Sequence, residues 1–280
     1  MSNRGPLLTT FSIVGYDPEG PAWGIAIASR FLAVGAQTCW GAPNAGVVDV
    51  QAHLNTRNAR EGLALLQQGH SATEVMQRLM AKDPHRTFRQ TAIVDARGGV
   101  ATETGPDCTA WAGGLTGRFC AAQGNMLHNG DGCMAMVEHF GASRGFFARR
   151  LVDALTVGDE VGGDFRGRQS AALYVIRPPL GEPSDAFTEP TIDLRVDDHD
   201  NPFAELGRLL GLWVLLWLPT APDERMAPDE PTVRRFQRVL GRLGYYSAEP
   251  SGTLDEATLT ALNTLALMRN FRRRLARPRL

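Results

Sequence analysis

Large apolar side chains alternate with small or hydroxyl-bearing ones along the first long stretch of the chain, residues 9–30. The alternation over residues 10–14 has a period of two, which is typical of a β-strand. Residues 17–20, Asp-Pro-Glu-Gly, carry proline and glycine where a β-turn favours them. The chain returns through residues 23–27, where glycine or alanine separates three large apolar side chains. We therefore predict a buried β-hairpin over this stretch.

Strand-like and helix-like periods then follow in blocks, and their order indicates the fold class. Ser71 and Glu74 have the spacing of a capping box, so a helix is expected to begin there. Hairpins dominate and pairs of helices separate the runs of strands, which predicts an α+β fold, a four-layer αββα sandwich of mainly antiparallel sheets. The predicted elements after the hairpin are strands at 31–40 and 45–52, helices at 57–68 and 71–83, strands at 87–95, 99–103, 109–112 and 118–123, a helical region at 131–157, strands at 170–176 and 191–196, and a helix opening at 201–202.

A polar segment with four prolines, residues 219–231, is typical of a linker. Two helices are predicted after the linker, at 232–243 and 253–267, so we predict a small all-α domain in this C-terminal tail. The predicted organisation is an N-terminal extension at 1–9, a main domain at 10–218, the linker at 219–231 and the helical domain at 232–280.

Composition narrows the classes of function without identifying one. The formal net charge is −1 with 21% charged residues, which gives no reason to expect nucleic acid as a partner. The four cysteines are widely spaced without a CxxC pair, which argues against a zinc site or a dense disulfide framework. The apolar run 209–218 is too short to span a bilayer, and the first residues lack a signal-peptide run. We expect a cytoplasmic, water-soluble protein without membrane association, metal or cofactor.

Hydroxyl residues at the start of the predicted hairpin are the first candidate chemistry. Thr9, Thr10 and Ser12 suit a strand because threonine is β-branched, and that structural role is one interpretation. The other interpretation is an N-terminal hydroxyl nucleophile whose own α-amino group, with a pKa of roughly 8, acts as general base. Such a residue attacks amide bonds once its amine is free.

Two further stretches concentrate polar groups next to predicted strands. Residues 123–127 include Asn125, whose amide either donates to a developing oxyanion or bonds its own backbone in a loop. Residues 162–170 bring two arginines, an acid, an amide and a hydroxyl to the start of a strand, as a polar pocket or as a plain turn. The acidic run 193–200 suits a solvated or arginine-paired strand better than a metal site.

Seven ordered sequence blocks lie between residues 9 and 210: TFSIVGYDPEG, GIAIASRFLAVGA, QTAIVDARGGVATETG, AWAGGLTG, AAQGNML, GGDFRGRQSAAL and DLRVDDHDNPFAEL. Together these blocks resemble domain-of-unknown-function family 1028. That family is grouped with the N-terminal-nucleophile (Ntn) hydrolases, so the resemblance implies an αββα sandwich. Members commonly begin Met-Thr-Phe-Ser or Met-Thr-Thr-Phe-Ser, which implies Thr10 as the nucleophile, with Thr9 as its rival.

Two features of this chain depart from that pattern. Nine residues precede Thr10, so its amine lies in a peptide bond unless the chain is cut there. Proteasome-like relatives place a lysine beside the nucleophile, whereas Lys82, the sole lysine of this chain, falls in a predicted helix. Arg30 is the nearby cation, and a guanidinium cannot act as a base.

The tail carries the pattern Q-x2-L-x2-LGYY from Gln237 and SG-x-LD-x2-T-x2-AL from Ser251. This pattern resembles a peptidoglycan-binding-type helical domain, which implies a peptidoglycan fragment as a ligand. A purely structural role for the tail is the alternative.

The leading hypothesis is an Ntn-type amidohydrolase acting on an amide bond of a small molecule or peptide. The alternative is a non-catalytic ligand-binding or interaction protein on an Ntn-like scaffold. By analogy with Ntn sheets that pair across subunits, we expect a homodimer. The candidate residues are Thr10 as nucleophile, Asn125 and Ser170 for oxyanion or amine orientation, and Ser29, Arg30, Gln123, Asp164 and Arg168 for substrate binding.

Overall fold

The structure, a computed structural model, describes residues 4–178, 192–218 and 227–270. The chain divides into two compact units, Met1–Leu210 and Gly211–Leu280. None of the described helices is long and apolar enough to cross a bilayer. The described elements are β1 (Leu7–Leu8), β2 (Thr10–Asp17), β3 (Ala22–Ser29), α1 (Gly35–Thr38), β4 (Cys39–Ala42), β5 (Gly46–His53), α2 (Thr56–Gln67), α3 (Ala72–Lys82), a 3-10 turn (Arg86–Phe88), β6 (Arg89–Asp95), β7 (Val100–Thr104), β8 (Ala112–Gly117), β9 (Cys120–Asn125), α4 (Asp131–Ala142), α5 (Phe147–Gly162), β10 (Ser170–Ile176), β11 (Ile192–Val196), α6 (Pro202–Trp217), α7 (Glu230–Arg242) and α8 (Glu256–Met268).

Two sheets form the larger unit. The first sheet has the strand order β1-β5-β6-β7, with β4 also paired to β5, and the second has the order β11-β10-β3-β2-β9-β8. Every strand pair of these sheets within the described residues is antiparallel. The predicted α+β class with mainly antiparallel sheets is therefore confirmed. Residue 191, predicted in a strand, lies outside the described residues.

The predicted hairpin forms the centre of the second sheet. Thr10 pairs with Ser29 at the open end, and the register continues unbroken to the turn. Strands β9 and β10 flank the hairpin on its two sides. Gly24 of β3 permits a helix to approach closely, since a Cβ there would lie 2.5 Å from Leu151 Cδ1 of α5. The hairpin is buried along nearly its whole length, as the alternation of small and large residues predicts.

Apolar clusters hold the sheets and helices of the larger unit together. On the far side of the second sheet, a Cβ at Gly15 would meet Phe140 of α4 at 3.0 Å and Leu151 of α5 at 3.3 Å. A cluster on the first sheet and helices α2 and α3 includes Leu8, Val48, Val50, Leu54, Leu66, Val75, Leu79 and Ile93. A second cluster lies between the two sheets and includes Val14, Ile25, Ile27, Val47, Ala92, Val94, Ala121 and Ala172.

The predicted strand at 31–40 is wrong over most of its length. The chain instead makes a turn and the short helix α1, and only residues from Cys39 onward form a strand. Tertiary hydrogen bonds override the local pattern here: Ala33 N donates to Asp197 O, and Val34 N donates to Ser170 Oγ. Partners from distant parts of the chain are not visible in a local alternation.

The predicted strand at 109–112 is also wrong, because β8 begins only at Ala112 and contains two consecutive glycines. A Cβ at Gly113 would lie 2.8 Å from the Trp111 ring, and one at Gly114 would lie 2.8 Å from Ala122 O. Glycine marks close approach of neighbouring atoms in this strand rather than a turn.

The smaller unit contains the two predicted tail helices, α7 and α8. Residues 219–226 of the predicted linker lie outside the described residues. Helix α7 begins at Glu230, two residues earlier than predicted, because Asp229 caps it by accepting from Thr232 N at 2.9 Å. Pro231 is compatible with the first turn of a helix, where its missing N–H has no intrahelical partner.

Candidate functional site

The layer between the two sheets is apolar at one end and polar at the other. In β5 the side chains of Val48 and Val50 pack toward the helices, whereas Val47 packs between the sheets. Because strand side chains alternate between faces, Asp49 and Gln51 also lie between the sheets. The polar end, as we call this region, consists of residues that are each at most 2% exposed: Thr10, Ser12, Ser29, Asp49, Gln51, Gln90, Gln123, Asn125 and Ser170.

Three hydroxyl residues form a row across neighbouring strands of the second sheet. Thr10 of β2 lies opposite Ser29 of β3, and Ser29 lies opposite Ser170 of β10. Directly opposite residues of antiparallel strands share a face, so the three side chains point into the layer between the sheets. Asn125 extends the row from β9, with its Nδ2 3.5 Å from the Thr10 carbonyl oxygen.

Three carboxamides meet behind Thr10. Gln90 Oε1 accepts from Gln51 Nε2 at 2.6 Å and from Asn125 Nδ2 at 2.9 Å. Gln51 Nε2 also lies 3.3 Å from the Thr10 carbonyl oxygen. The Gln90 amide nitrogen donates to Gly124 O at 2.8 Å and Gly113 O at 3.1 Å. Gln90 therefore fixes the two amides that hold the Thr10 backbone.

Asp49 is the ionisable group of the polar end. Its Oδ2 accepts from Ser12 Oγ at 2.6 Å and from Gln123 Nε2 at 3.0 Å. Burial raises the pKa of the Asp49 carboxyl from 3.8 to about 6, and the hydrogen bonds from Ser12 and Gln123 lower it in part. The carboxylate is thus ionised at neutral pH but titrates close to it.

The peptide bond before Thr10 is held by hydrogen bonds to its carbonyl oxygen. Ser29 Oγ donates to Thr9 O, and Arg166 Nη2 donates to the same oxygen at 3.1 Å. Arg166 is fixed in turn by Asp164, whose Oδ1 accepts from Arg166 Nε at 2.9 Å. Two donors, one of them cationic, are therefore aimed at a carbonyl oxygen next to the Thr10 hydroxyl.

Some buried polar atoms of this region have no partner among the described residues. They are Thr9 Oγ1, Thr10 Oγ1, Asp49 Oδ1 and Asn125 Oδ1, in residues that are each at most 2% exposed. A buried hydroxyl without a hydrogen bond costs roughly 1–3 kcal/mol in protein mutational data. Such groups are rare in folded proteins, and a functional role is one of the explanations they require.

Two other kinds of site are disfavoured. Among the described residues no three His, Cys, Asp or Glu side chains converge as a metal ion would need. Burial raises the pKa of every cysteine thiol, which suppresses the thiolate that a nucleophile requires. These thiols belong to Cys39, Cys108, Cys120 and Cys133.

The predicted site residues fall into two groups. Thr10 and Ser29 meet at the Thr9–Thr10 peptide, and Asp164 reaches it through Arg166. Asn125 lies at the next carbonyl along the chain, Thr10 O. Gln123 lies one row further along the layer and bonds to Asp49.

The other three predicted residues are engaged elsewhere. Ser170 Oγ donates to Phe31 O and accepts from Val34 N, so it holds the loop after β3. Arg30 is exposed and donates to Arg168 O at 2.6 Å. Arg168 pairs with Asp159 at 2.6 Å.

Four residues of the site were not predicted from the sequence: Asp49, Gln51, Gln90 and Arg166. A signal existed for two of them, because Asp49 and Gln51 alternate with valines in an otherwise apolar strand. The same signal for Gln90 is weaker, since it stands at the start of β6 after a polar segment. Arg166 lies in the noted run 162–170, where sequence alone does not distinguish it from Arg168.

The larger unit is thus an α+β domain of two antiparallel sheets with buried polar side chains between them. The chain belongs to the family DUF1028, described as a family of unknown function, whose sequence model matches residues 10–206. A second family, PG_binding_2, described as "Putative peptidoglycan binding domain", matches residues 216–278. No curated protein matches the chain.

Two solved structures show how far the likeness extends. The crystal structure of protein SPO2555 from Silicibacter pomeroyi, also assigned to DUF1028, matches with 33% identity and a TM-score of 0.66. That match covers 74% of this chain and 89% of the other. Anbu (ancestral beta-subunit) from Yersinia bercovieri gives 11% identity and a TM-score of 0.32, over 76% of this chain and 99% of the other. The second likeness is too weak to establish a shared fold.

Proposed function

We propose that the larger unit is an Ntn-type hydrolase of amide bonds, with an αββα arrangement, and that Thr10 is its nucleophile. The observation that carries this proposal is the Thr10 hydroxyl, fully buried and unpartnered among the described residues. It lies at the polar end of the inter-sheet layer, beside a carbonyl that already accepts from Ser29 and Arg166. An arrangement of this kind supports nucleophilic attack on an amide carbon.

The chemistry begins once Thr10 has a free α-amino group. Thr10 Oγ attacks the amide carbon, and its proton passes to the α-amine. The resulting ammonium gives the proton to the leaving amine, which leaves an ester on Thr10. Water then hydrolyses the ester with the same amine as base. Ser29 and Arg166 would stabilise the oxyanion, because their donors already lie at Thr9 O. Asn125 would orient Thr10, because its Nδ2 lies 3.5 Å from Thr10 O.

The remaining candidates would act at a distance from the reacting atoms. Ser170 would hold the loop that follows β3, since its hydroxyl is used by Phe31 and Val34. Asp164 would orient the Arg166 guanidinium. Arg30 and Arg168 would supply positive charge at the rim, where Arg30 is exposed.

The intact mass of the protein from its native host tests the first requirement. A chain that begins at Thr10 has the free amine, and substrate screening then becomes a direct test of hydrolysis. A chain that begins at Met1 or Ser2 keeps Thr10 in a peptide bond and removes the base from the mechanism.

The second outcome would favour a non-catalytic ligand-binding protein on the same scaffold. The burial of the Thr9–Thr10 peptide supports this alternative, because Thr9 is only 2% exposed and Thr10 is fully buried. An external protease cannot easily reach such a bond. Ligand binding by the full chain that Thr10→Ala leaves unchanged would support the alternative over the hydrolase.

We propose that the main domain spans residues 10–218 and the helical domain residues 232–280. For the smaller unit we propose binding of peptidoglycan fragments. A cavity lined by Tyr245, Tyr246, Asp255, Glu256 and Thr260 is the candidate site. Calorimetric titration of the full chain with purified disaccharide-peptide fragments tests this assignment. Saturable binding that Tyr245→Ala weakens supports the proposal, and the absence of any binding would contradict it.

A further inference from the structure

The segment before Thr10 runs along the edge of β5, extended at Leu7–Leu8 and turned at Gly5, and is held mainly through its backbone. Leu7 and Leu8 pair with His53 and Ala52 as the short strand β1. Leu54 N donates to Pro6 O at 2.8 Å. An added strand held by main-chain hydrogen bonds is a common way for proteins to bind peptides.

Buried and half-buried side chains also hold this segment. The Arg89 guanidinium, in a residue 5% exposed, donates to Arg4 O and also pairs with the buried carboxylate of Asp83 at 2.9 Å. His53 Nδ1 lies 3.1 Å from Gly5 O. At the other end Thr9 O accepts from Ser29 Oγ and from Arg166 Nη2. The carbonyls of Arg4, Gly5, Pro6 and Thr9 therefore all have hydrogen-bond partners.

Side-chain selectivity in this segment comes from Gly5, Leu8 and Thr9, because a Cβ at Gly5 would lie 2.1 Å from Leu54 O and Thr9 is 2% exposed. Leu8 is 3% exposed and packs into the cluster formed by the first sheet and its helices. Leu7, its neighbour, points outward and is 39% exposed. Burying a leucine side chain contributes about 2 kcal/mol, which is enough to select an apolar residue at that position.

Cutting the chain before Thr10 would leave these donors without acceptors if the segment departed. A buried donor that loses its partner carries a desolvation cost, and a charged donor such as the Arg89 guanidinium carries more. An extended peptide backbone would satisfy the donors at the places of Pro6 to Thr9, whereas the place of Gly5 requires glycine, because φ there is +84° and a Cβ would lie 2.1 Å from Leu54 O. The carbonyl of such a peptide at the position of Thr9 O would face Thr10.

We propose that this edge of β5 is the acyl-side binding groove of the enzyme, and that its substrates are extended peptides. The residue before the cleaved bond would lie in the place of Thr9, and an apolar residue before that would fill the place of Leu8. The inference rests on the proposed function, because it takes Thr10 as the attacking group. In the full chain residues 4–9 occupy the groove themselves.

The test displaces the chain's own segment and asks whether a peptide replaces it. Full-length protein carrying Leu8→Asp is prepared with Thr10→Ala, so that no turnover interferes with binding. Full-length Thr10→Ala is the parent, and Leu7→Asp at the exposed neighbour is the matched control. The probe is a fluorescein-labelled hexapeptide with the sequence of residues 4–9, and a second probe carries Asp in place of its leucine at position 8. Hydrogen exchange of residues 4–9 reports whether the segment has left the groove.

We expect Leu8→Asp to speed amide exchange in residues 4–9 by about 100-fold, with the parent and Leu7→Asp remaining protected. The released groove should bind the leucine probe about tenfold more tightly than the aspartate probe in fluorescence anisotropy. Retained protection in folded Leu8→Asp, or equal binding of the two probes, would overturn the proposal. If Leu8→Asp fails to fold, Leu8→Ala is measured with the same probes and judged by the same criteria.

Binding in this assay does not need the Thr10 hydroxyl. Selective binding of the leucine probe therefore supports the proposed groove even if Thr10 proves unreactive. An unreactive Thr10 would refute only the proposed function. If Thr10 is reactive but the protein binds the leucine and aspartate probes equally well, the proposed binding groove is refuted and the proposed function is not.

Discussion

Thr10 lies directly opposite Ser29 in the central hairpin, and Ser29 Oγ donates to the carbonyl oxygen of the residue before Thr10. The strand pairing therefore places a hydroxyl next to the one peptide bond that the proposed chemistry requires to be opened. Arg166 reaches the same oxygen from a loop far along the chain. Local pairing and a long-range contact thus converge on one carbonyl.

Replacing Thr10 by valine should leave the full chain as stable or more stable. The hydroxyl has no partner among the described residues, so an isosteric methyl removes a buried polar group at no loss of hydrogen bonding. We expect the free energy of unfolding to rise by about 1 kcal/mol in urea denaturation. Ser12→Ala is the matched comparison, because Ser12 Oγ donates to Asp49 at 2.6 Å. The free energy of unfolding of Ser12→Ala should fall by about 2 kcal/mol. Equal effects of the two substitutions would contradict the difference between an unpartnered and a hydrogen-bonded hydroxyl.

Gln90→Leu should be strongly destabilising because Gln90 connects the carboxamides of the polar end. Its loss leaves the amides of Gln51 and Asn125 without their shared acceptor. We expect a loss of about 3 kcal/mol in the free energy of unfolding, measured by urea denaturation. Gln169→Leu serves as the control, since the Gln169 side chain bonds to Asp198 near the surface. Its effect should stay within about 0.5 kcal/mol, and a similar loss in both variants would count against a special role for Gln90.

Asp49 should make stability depend on pH in a defined window. Its folded pKa, about 6, lies above the ordinary value of 3.8, so the protonated form favours the folded state. The stabilisation is fully present below 3.8 and is lost as the pH rises through about 6. Relative to Asp49→Asn, the wild-type protein should therefore lose about 3 kcal/mol across this window. Unfolding of both proteins at a series of pH values measures this difference, and a constant difference would contradict the burial argument.

Gln237→Leu should unfold the smaller unit. The Gln237 side chain is fully buried, donates to Thr258 Oγ1 at 2.8 Å and Thr253 O at 3.0 Å, and accepts from Gly252 N at 2.8 Å. Leucine would leave these groups unpaired, with an expected cost of about 3 kcal/mol. Hydrogen exchange of α7 and α8 in the full chain measures the effect. Gln237→Glu keeps the acceptor for Gly252 N but places a buried carboxylate oxygen against Thr253 O, so it should be at least as severe, and unchanged protection in both would refute the prediction.

Local patterns are sufficient for much of the fold. The hairpin of β2 and β3, the capping box at Ser71 and the strand from Ser170 to Ile176 all follow from short-range periodicity and turn chemistry, and all are observed. The segment 31–40 fails because its backbone bonds to residues more than 130 positions away, such as Ser170.

The site was less accessible to sequence reasoning because it exists only where the two sheets face each other. Gln90 acquires a role from Asn125, which lies 35 residues away in the other sheet. Arg166 and Arg168 stand two positions apart in one polar run, yet only Arg166 reaches Thr9 O. That difference depends on the path of the loop, which periodicity does not describe.

The proposed reactivity of the Thr10 hydroxyl is tested by acylation with a β-lactone, a strained ester that transfers its acyl group to an activated hydroxyl. The chain is produced with Thr10 as its first residue by removing a fused leader, and adducts are located by tandem mass spectrometry. We predict one adduct on the peptide beginning at Thr10, and none in the full-length chain or in Thr10→Ala. A folded Thr10-first chain that remains unlabelled, or that is labelled at another hydroxyl such as Ser12, would contradict Thr10 as the nucleophile.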